Sequence, residues 1–319
     1  MVISGQAGSL SPQRIDVLYL LLTPIKNEEQ YLPRLGEMLL SQTVRPALWL
    51  IVNDASTDGS QAIIDGLTAV YDWILSITMP YEPGGLGLHY ARVVDHGFSV
   101  LQAKAEEHGI AYDLLGKLDA DVIFGEDCFA GLSAAFAADE KLGIASPSLT
   151  NVKITEDGEM LPEKHEVVLL DHPTDGVRLF RRACFEEIGG SPVTRAPETV
   201  AEAKAALCGW RLRRFAHIEA YHRRKAHAAT PLWARWEQAG SEQHYLGYHP
   251  LLVLGHAVYE LLFRSPKYLW LAHLSGYIKA VLRHEEKLAD NEVRAYFGRQ
   301  RLHEVWAQFP DLIKKAFKR

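Results

Sequence analysis

LWLIVNDASTDGSQAIIDGLTAVY, residues 48–71, is the stretch on which the fold turns. It opens with a short apolar run that gives way to Asn53 and Asp54, the pattern of a buried strand ending at polar residues. A Ser/Thr/Asp/Gly turn follows, with Ser56 and Thr57 placed to cap the helix predicted after it. Strand, polar turn and helix make half of a βαβ unit, and a carboxylate stands where the strand ends.

The same unit recurs on both sides. Upstream, VLYLLLTP (17–24) is an apolar run ending at a Thr-Pro breaker. NEEQYLPRLGEMLLSQT (27–43) then has Leu32, Leu35, Leu39 and Leu40 at helical spacing, with Glu28 and Glu29 expected in the first turn. Downstream come a strand at 74–80, the Gly-rich EPGGLGLHY (82–90), a helix over 91–109 and a strand at 114–118 that runs into Asp119 and Asp121. Such alternation predicts right-handed βαβ units and a mostly parallel sheet.

After about residue 140 the rhythm changes. Strands separated by loops are expected over 142–150 and 166–190, the latter closing on a helix through Cys184–Ile188. VAEAKAALCGWRLRRF (200–215) reads as a helix that turns at Gly209 into a strand. From 231 onward the pattern is helical. The expected organisation is a lead-in at 1–14, an α/β domain over 15–230 and a helical extension over 231–319.

Composition narrows the function. A net charge of −6 argues against a general nucleic-acid binder, which carries a basic surface. Cys128, Cys184 and Cys208 form no CxxC pair, so neither a disulfide framework nor a zinc knuckle is suggested, and a reducing compartment fits. The N-terminus lacks the basic start and apolar core of a signal peptide. The most apolar segment, PLLVLGHAVYELLF (250–263), is interrupted by His256 and Glu260 and is too short for a span. The chain reads as cytoplasmic. Its aromatic C-terminal helices have two roles open to them: packing on the catalytic domain or a second subunit as a homodimer, or peripheral contact with the inner face of a membrane.

Three acid clusters fall at predicted strand ends: Glu28 and Glu29, Asp54 and Asp58, Asp119 and Asp121. In open α/β sheets ligands gather outside those ends. Asp119 and Asp121 lie two apart, so an extended chain would put both on one face, where like charges call for a cation or a proton. Hard divalent cations take oxygen ligands, and Mg²⁺ is commonly shared between carboxylates and substrate phosphates. The plainer alternative is a turn-capping Asp119 and a solvated Asp121. PGGLG (83–87) could cradle phosphate through its N–H groups or be a plain loop; it matches neither the P-loop nor the dinucleotide pattern. Arg178, Arg181 and Arg182 suit phosphate or acceptor contacts, or a solvated basic face.

Taken in order, TPIKNEEQYLP, the Gln42-Thr43 pair, IVNDASTDGS, KLDADV, DGVRLFRRACFEEIGG and GWRLRRF…YHRR resemble the inverting glycosyltransferases of family 2, which have the GT-A fold. The resemblance covers roughly residues 15–225 and implies a mixed, mostly parallel sheet flanked by helices. The donor half would be 15–125 and the acceptor half 126–230. It further implies a nucleoside-diphosphate sugar donor (UDP- or GDP-linked), a divalent Mn or Mg ion, and a sugar or lipid-linked hydroxyl acceptor. Thr23, Pro24 and Glu28 would line the nucleotide site, Asp54 would face the base, and Asp58 would order its loop. Lys117 and Asp119 would join the donor site, with Asp119 near the ribose or metal. Asp121 would bind metal directly, and His222 would add a metal or phosphate contact beside Arg223 and Arg224.

The general base is where the chain departs from the pattern. Family members carry Glu-Asp about eleven residues before a Gly-Trp or Gly-Tyr pair; counting back from Gly209 lands on Glu198, preceded by Pro197. Glu198 is the base candidate, and Glu202, four residues on, is its rival. Two other readings stay open: a nucleotide-sugar binder without catalysis, and a nucleotidyltransferase, although the latter's early glycine-rich loop is replaced by TPIKNEE.

Overall fold

The computed structural model describes residues 17–80, 86–154, 160–162, 172–223 and 231–306. The lead-in, most of PGGLG, the first residues of the 166–190 segment and Arg224 lie outside these residues.

Three of the predicted strands become neighbours at once. β1 (Tyr19–Ile25), β2 (Leu48–Asp54) and β3 (Ile74–Met79) pair in parallel, and β4 (Leu114–Leu118) joins the other side of β1, also parallel. The helices between them are α1 (Leu32–Leu40), α2 (Ser60–Val70) and α3 (Leu86–Glu107). Beyond β4 the chain forms β5 (Val122–Phe124), α4 (Cys128–Ala138), β6 (Leu142–Ile154), β7 (Met160–Pro162), β8 (Val177–Arg181), α5 (Arg182–Glu187), α6 (Pro197–Leu207) and β9 (Arg211–His222). The strand order is β3-β2-β1-β4-β8-β6-β9-β5, with β7 on β6. β8 enters antiparallel to β4, so the sheet is parallel in its N-terminal half and mixed beyond it.

Strand parity builds the core. Tyr19, Leu21, Trp49 and Ile51 face one side with residues of α1 and α4, whereas Leu20, Leu22, Leu50 and Val52 face the other with α3, α5 and α6. Both faces are covered, which is why these strands read as continuous apolar runs. β1 continues through Pro24, paired opposite Val52, rather than ending at the Thr-Pro breaker.

Two expectations about helix starts are corrected. α1 begins at Leu32, with Pro33 in its first turn, so Glu28 and Glu29 lie in the loop ahead of it. α2 has Gly59 at its N-cap and no side-chain cap; Ser56 and Thr57 bond instead to Asn27 across the site. The turn after α6 is as predicted: Gly209 takes φ +81°, a left-handed conformation that glycine adopts without a Cβ penalty, and the chain leaves as β9.

The C-terminal residues form α7 (Leu232–Tyr245), α8 (Pro250–Phe263), α9 (Leu269–Leu282), α10 (Asn291–Ala295) and a π-helical turn over Tyr296–Gln300. They dock on α6: Val200 and Ala203 pack with Leu246, Leu288, Val293, Tyr296 and Phe297. Among the described residues no helix is long and apolar enough to cross a membrane.

Candidate active site

The carboxyl ends of β1, β2 and β4 lie side by side and deliver Lys26–Glu29, Asp54–Asp58 and Asp119–Asp121 to one edge of the sheet. Loop-to-loop hydrogen bonds hold the first two together. Asn27, at φ +58°, donates its N–H to Ser56 Oγ (3.0 Å) and accepts from Thr57 N at Oδ1 (2.7 Å). Glu28 N donates to Ser60 Oγ (2.9 Å). Asp58 accepts from Glu29 N (3.1 Å) and Ser60 N (3.0 Å). Thr23 enters the site through its backbone alone, because its side chain is wholly buried and its hydroxyl accepts from Trp49 Nε1 (2.9 Å).

Asp54 is buried and bonded at both oxygens, to Lys26 Nζ (3.0 Å) and His89 Nε2 (2.7 Å). His89 sits on α3 beside Tyr90, whose hydroxyl donates to Asp119 Oδ1 (3.2 Å). Consecutive residues of one helix therefore reach the acids of β2 and β4. Burial, reinforced by Asp119, raises the Tyr90 pKa far above the phenol range, so it serves as a donor. Lys26, His89 and Tyr90 were not singled out from sequence; the only signal was the His-Tyr pair closing the Gly-rich stretch.

Asp119 and Asp121 do not share a strand face. A turn separates β4 from β5, and each acid takes its own partner. Asp119 contacts Lys117 Nζ (3.3 Å), while Asp121 pairs with His222 Nε2 (3.1 Å) at the end of β9. The expected set Asp119, Asp121 and His222 is thus divided, and no group of three His, Cys, Asp or Glu gathers among the described residues. Burial lowers the His222 pKa, but the hydrogen bond and charge of Asp121 outweigh it, and the net direction is up. One carboxylate and one imidazole are still a fitting donor set for a divalent ion whose other ligands are phosphate oxygens and water.

Lys117, at the end of β4, is buried under the Tyr90 ring, 5.0 Å from its centroid. It touches Asp119 and, at 3.4 Å, Glu198 Oε1. Burial opposes its charge, but Asp119, Tyr90 and Glu198 together raise its pKa well above the usual value. Glu198 stands in the first turn of α6 behind Pro197, where a negative charge suits the helix dipole. Burial pushes its pKa up, Lys117 and then Arg178 pull it down, and the net direction is down. Glu198 is therefore an ionised carboxylate at neutral pH, beside a small cavity lined by Phe98, Phe180, Phe185 and Arg178.

Glu202 has a different task. Arg178 is buried, and its guanidinium holds Glu202 Oε1 (2.9 Å) and Asp175 Oδ1 (2.9 Å), while Glu202 Oε2 faces His172 (3.4 Å). Arg178 is buried rather than part of a solvated basic face. Arg181 caps carbonyls of Phe136, Asp139 and Leu142, and Arg182 pairs with Glu186 on the surface. Gln42 and Thr43 clamp the β5–α4 loop, Gln42 through Gly125 O (2.8 Å) and Thr43 through Asp127 (2.8 Å).

The fold has known counterparts. A mannosyltransferase, PcManGT from Pyrobaculum calidifontis, solved with GDP-Man and Mn²⁺, superposes with a TM-score of 0.51 at 15% identity, over 96% of this chain and 90% of that one. GalNAc-T7, solved with UDP, GalNAc and Mn²⁺, gives 0.53 at 13% identity; 92% of this chain matches 58% of its length. At such identities the likeness is one of fold, the mixed sheet with flanking helices of the GT-A class. No curated protein matches the chain by sequence. The model of glycosyl transferase family 2 matches residues 21–189, from β1 to the end of α5, and the chain belongs to that family of glycosyltransferases.

Proposed function

We propose that the protein transfers a sugar, with inversion, from a nucleoside-diphosphate sugar to a hydroxyl acceptor in surface polysaccharide or glycolipid synthesis. Residues 15–125 act as the donor half, 126–230 as the acceptor half and 231–319 as a helical extension. The observation that carries the reading is the Lys117 ammonium, which touches Asp119 on the donor side and Glu198 on the other. One buried cation ties the acid following β4 to the carboxylate opening α6.

Asp54, held by Lys26 and His89, offers acceptor oxygens to a base, and Asp119 offers one to the ribose. Asp121 and His222 are the residues that would hold a divalent ion. The Mn²⁺ in both structural counterparts and the chemistry of this pair support it. Such an ion supplies Lewis-acid neutralisation of a departing diphosphate. Glu198, ionised at neutral pH, accepts the proton of the attacking hydroxyl. Glu202, spent on Arg178, positions α6 instead.

Thermal-shift titration of UDP, GDP and their sugars with and without Mn²⁺ tests the donor site. Metal-dependent stabilisation by one nucleotide, lost in Asp121→Ala, is expected; stabilisation by none defeats the proposal. Glu198→Gln should keep that stabilisation and lose turnover. Retained turnover would remove Glu198 as base.

A further inference from the structure

The helices α8 and α9 leave an apolar stripe uncovered. On α8, Leu252, Val253, Ala257 and Glu260 are buried, while Leu251, Leu254, Val258, Leu261 and Leu262 are exposed, by 42–59%. That spacing is the opposite side of the same helix. On α9 the buried positions include Ala272, Gly276 and Ala280, and Leu271, Ile278 and Leu282 are exposed. Large exposed apolar residues concentrate here rather than scattering over the surface, as an interaction site requires.

The charges beside the stripe identify what covers it. Residues 250–283 carry Arg264, Lys267, Lys279 and Arg283 against a single acid, Glu260, in a chain whose net charge is −6. Glu260 is buried and bonded to His273 Nδ1 (2.6 Å), so it neutralises nothing outside. Lys279 pairs with Glu237 of α7, but among the described residues Lys267 holds only the Leu262 carbonyl (2.8 Å), and Arg283 is exposed. A second copy of residues 250–283 would bring the same cations to Lys267 and no exposed acid from within that segment. Anionic lipid headgroups supply the missing charge, and acyl chains accept the leucines. Fourteen residues of α-helix extend only about 21 Å, short of the hydrocarbon thickness, so α8 would lie in the interface rather than span it.

We infer that the exposed stripe of α8, with Lys267 at its end and the outer face of α9 beside it, docks the protein on an anionic membrane surface. The docking is separate from the donor site.

Co-sedimentation of the full chain with vesicles of phosphatidylcholine, alone or mixed with phosphatidylglycerol, tests the inference. Binding should require phosphatidylglycerol and weaken with salt. Lys267→Ala should lower the partition coefficient about fivefold, by the loss of one surface cation. The Leu254→Ser/Leu261→Ser double variant should lower it by roughly tenfold or more per leucine, with unchanged circular dichroism and nucleotide response, because both positions are exposed. Absence of binding, equal binding to both vesicle types, or an unaffected double variant overturns the inference. So does a wild-type dimer in sedimentation velocity that the double variant converts to monomer, which assigns the stripe to a second copy.

Discussion

Replacing Lys117 by Met removes the charge between Asp119 and Glu198 while keeping most of the side-chain volume. At 3.4 Å and an effective dielectric of about 20, the attraction between the ammonium and the Glu198 carboxylate amounts to about 5 kcal/mol. That figure is a ceiling, since both groups are partly desolvated and Arg178 remains, and a rise in the Glu198 pKa follows when the ammonium is lost. Its sign is fixed: a cation that lowers a carboxylate pKa is removed, and burial, which raises it, is left. The assay is the pH profile of kcat/KM for the donor sugar identified by thermal shift, whose acid limb reports the base of the free enzyme. In the wild type that limb should lie below the ordinary glutamate range, with activity lost only as pH falls through it. In Lys117→Met it should move to higher pH, with activity recovered at alkaline pH. An acid limb that stays in place, with a uniform loss at every pH, refutes the role assigned to Lys117 and with it the assignment of Glu198 as base.

Other expectations separate structural from chemical residues. Thr23→Val leaves the buried Trp49 Nε1 without an acceptor and should cost about 1–3 kcal/mol in urea denaturation, with nucleotide response retained. Glu202→Gln removes the negative charge facing buried Arg178; it should lower stability by about 1–3 kcal/mol without moving the acid limb. Gly276→Ala should destabilise by roughly 3 kcal/mol or more, since its Cβ would sit 1.8 Å from the Glu237 carbonyl oxygen and force α7 and α9 apart, which a thermal melt reads directly. His222→Ala should weaken Mn²⁺-dependent stabilisation by UDP or GDP and leave metal-free stability nearly unchanged, measured in the same melt.

What could be read from the sequence divides along a physical line. β1 and β2 are legible because burial on both faces leaves nearly unbroken apolar runs, and the acids after them follow from where those runs end; β3, at the edge, alternates instead. The α6-to-β9 turn was visible because Gly209 interrupts a helical pattern. Cross-chain partners were not. Nothing in DADV says that Asp119 will turn to Lys117 and Tyr90 while Asp121 turns to His222, about a hundred residues away, because a three-residue turn replaces the extended chain on which the two-residue periodicity rests. The arginines of DGVRLFRR were equally opaque. Alternation on β8 sends Arg178 inward to Glu202, and only the fold shows that partner.

Packing supports the proposal of Glu198 over Glu202 as base, which spacing leaves open. Both carboxylates lie near the N-terminal end of α6, one turn apart, and both are near buried cations. Glu202 meets Arg178 at 2.9 Å, with His172 Nδ1 3.4 Å from its other oxygen, so the frame holds it more tightly than Glu198. Glu198 meets Lys117 at 3.4 Å through one oxygen and borders the cavity. A base needs charge at neutral pH together with an uncommitted lone pair directed at its substrate; the shorter, doubly held contact satisfies the first condition and defeats the second. α6 is held from behind by Leu246, Val293, Tyr296 and Phe297, so its first turn cannot pivot to exchange the two residues without opening that cluster. The C-terminal helices thereby fix the register of α6, and with it which glutamate faces Lys117.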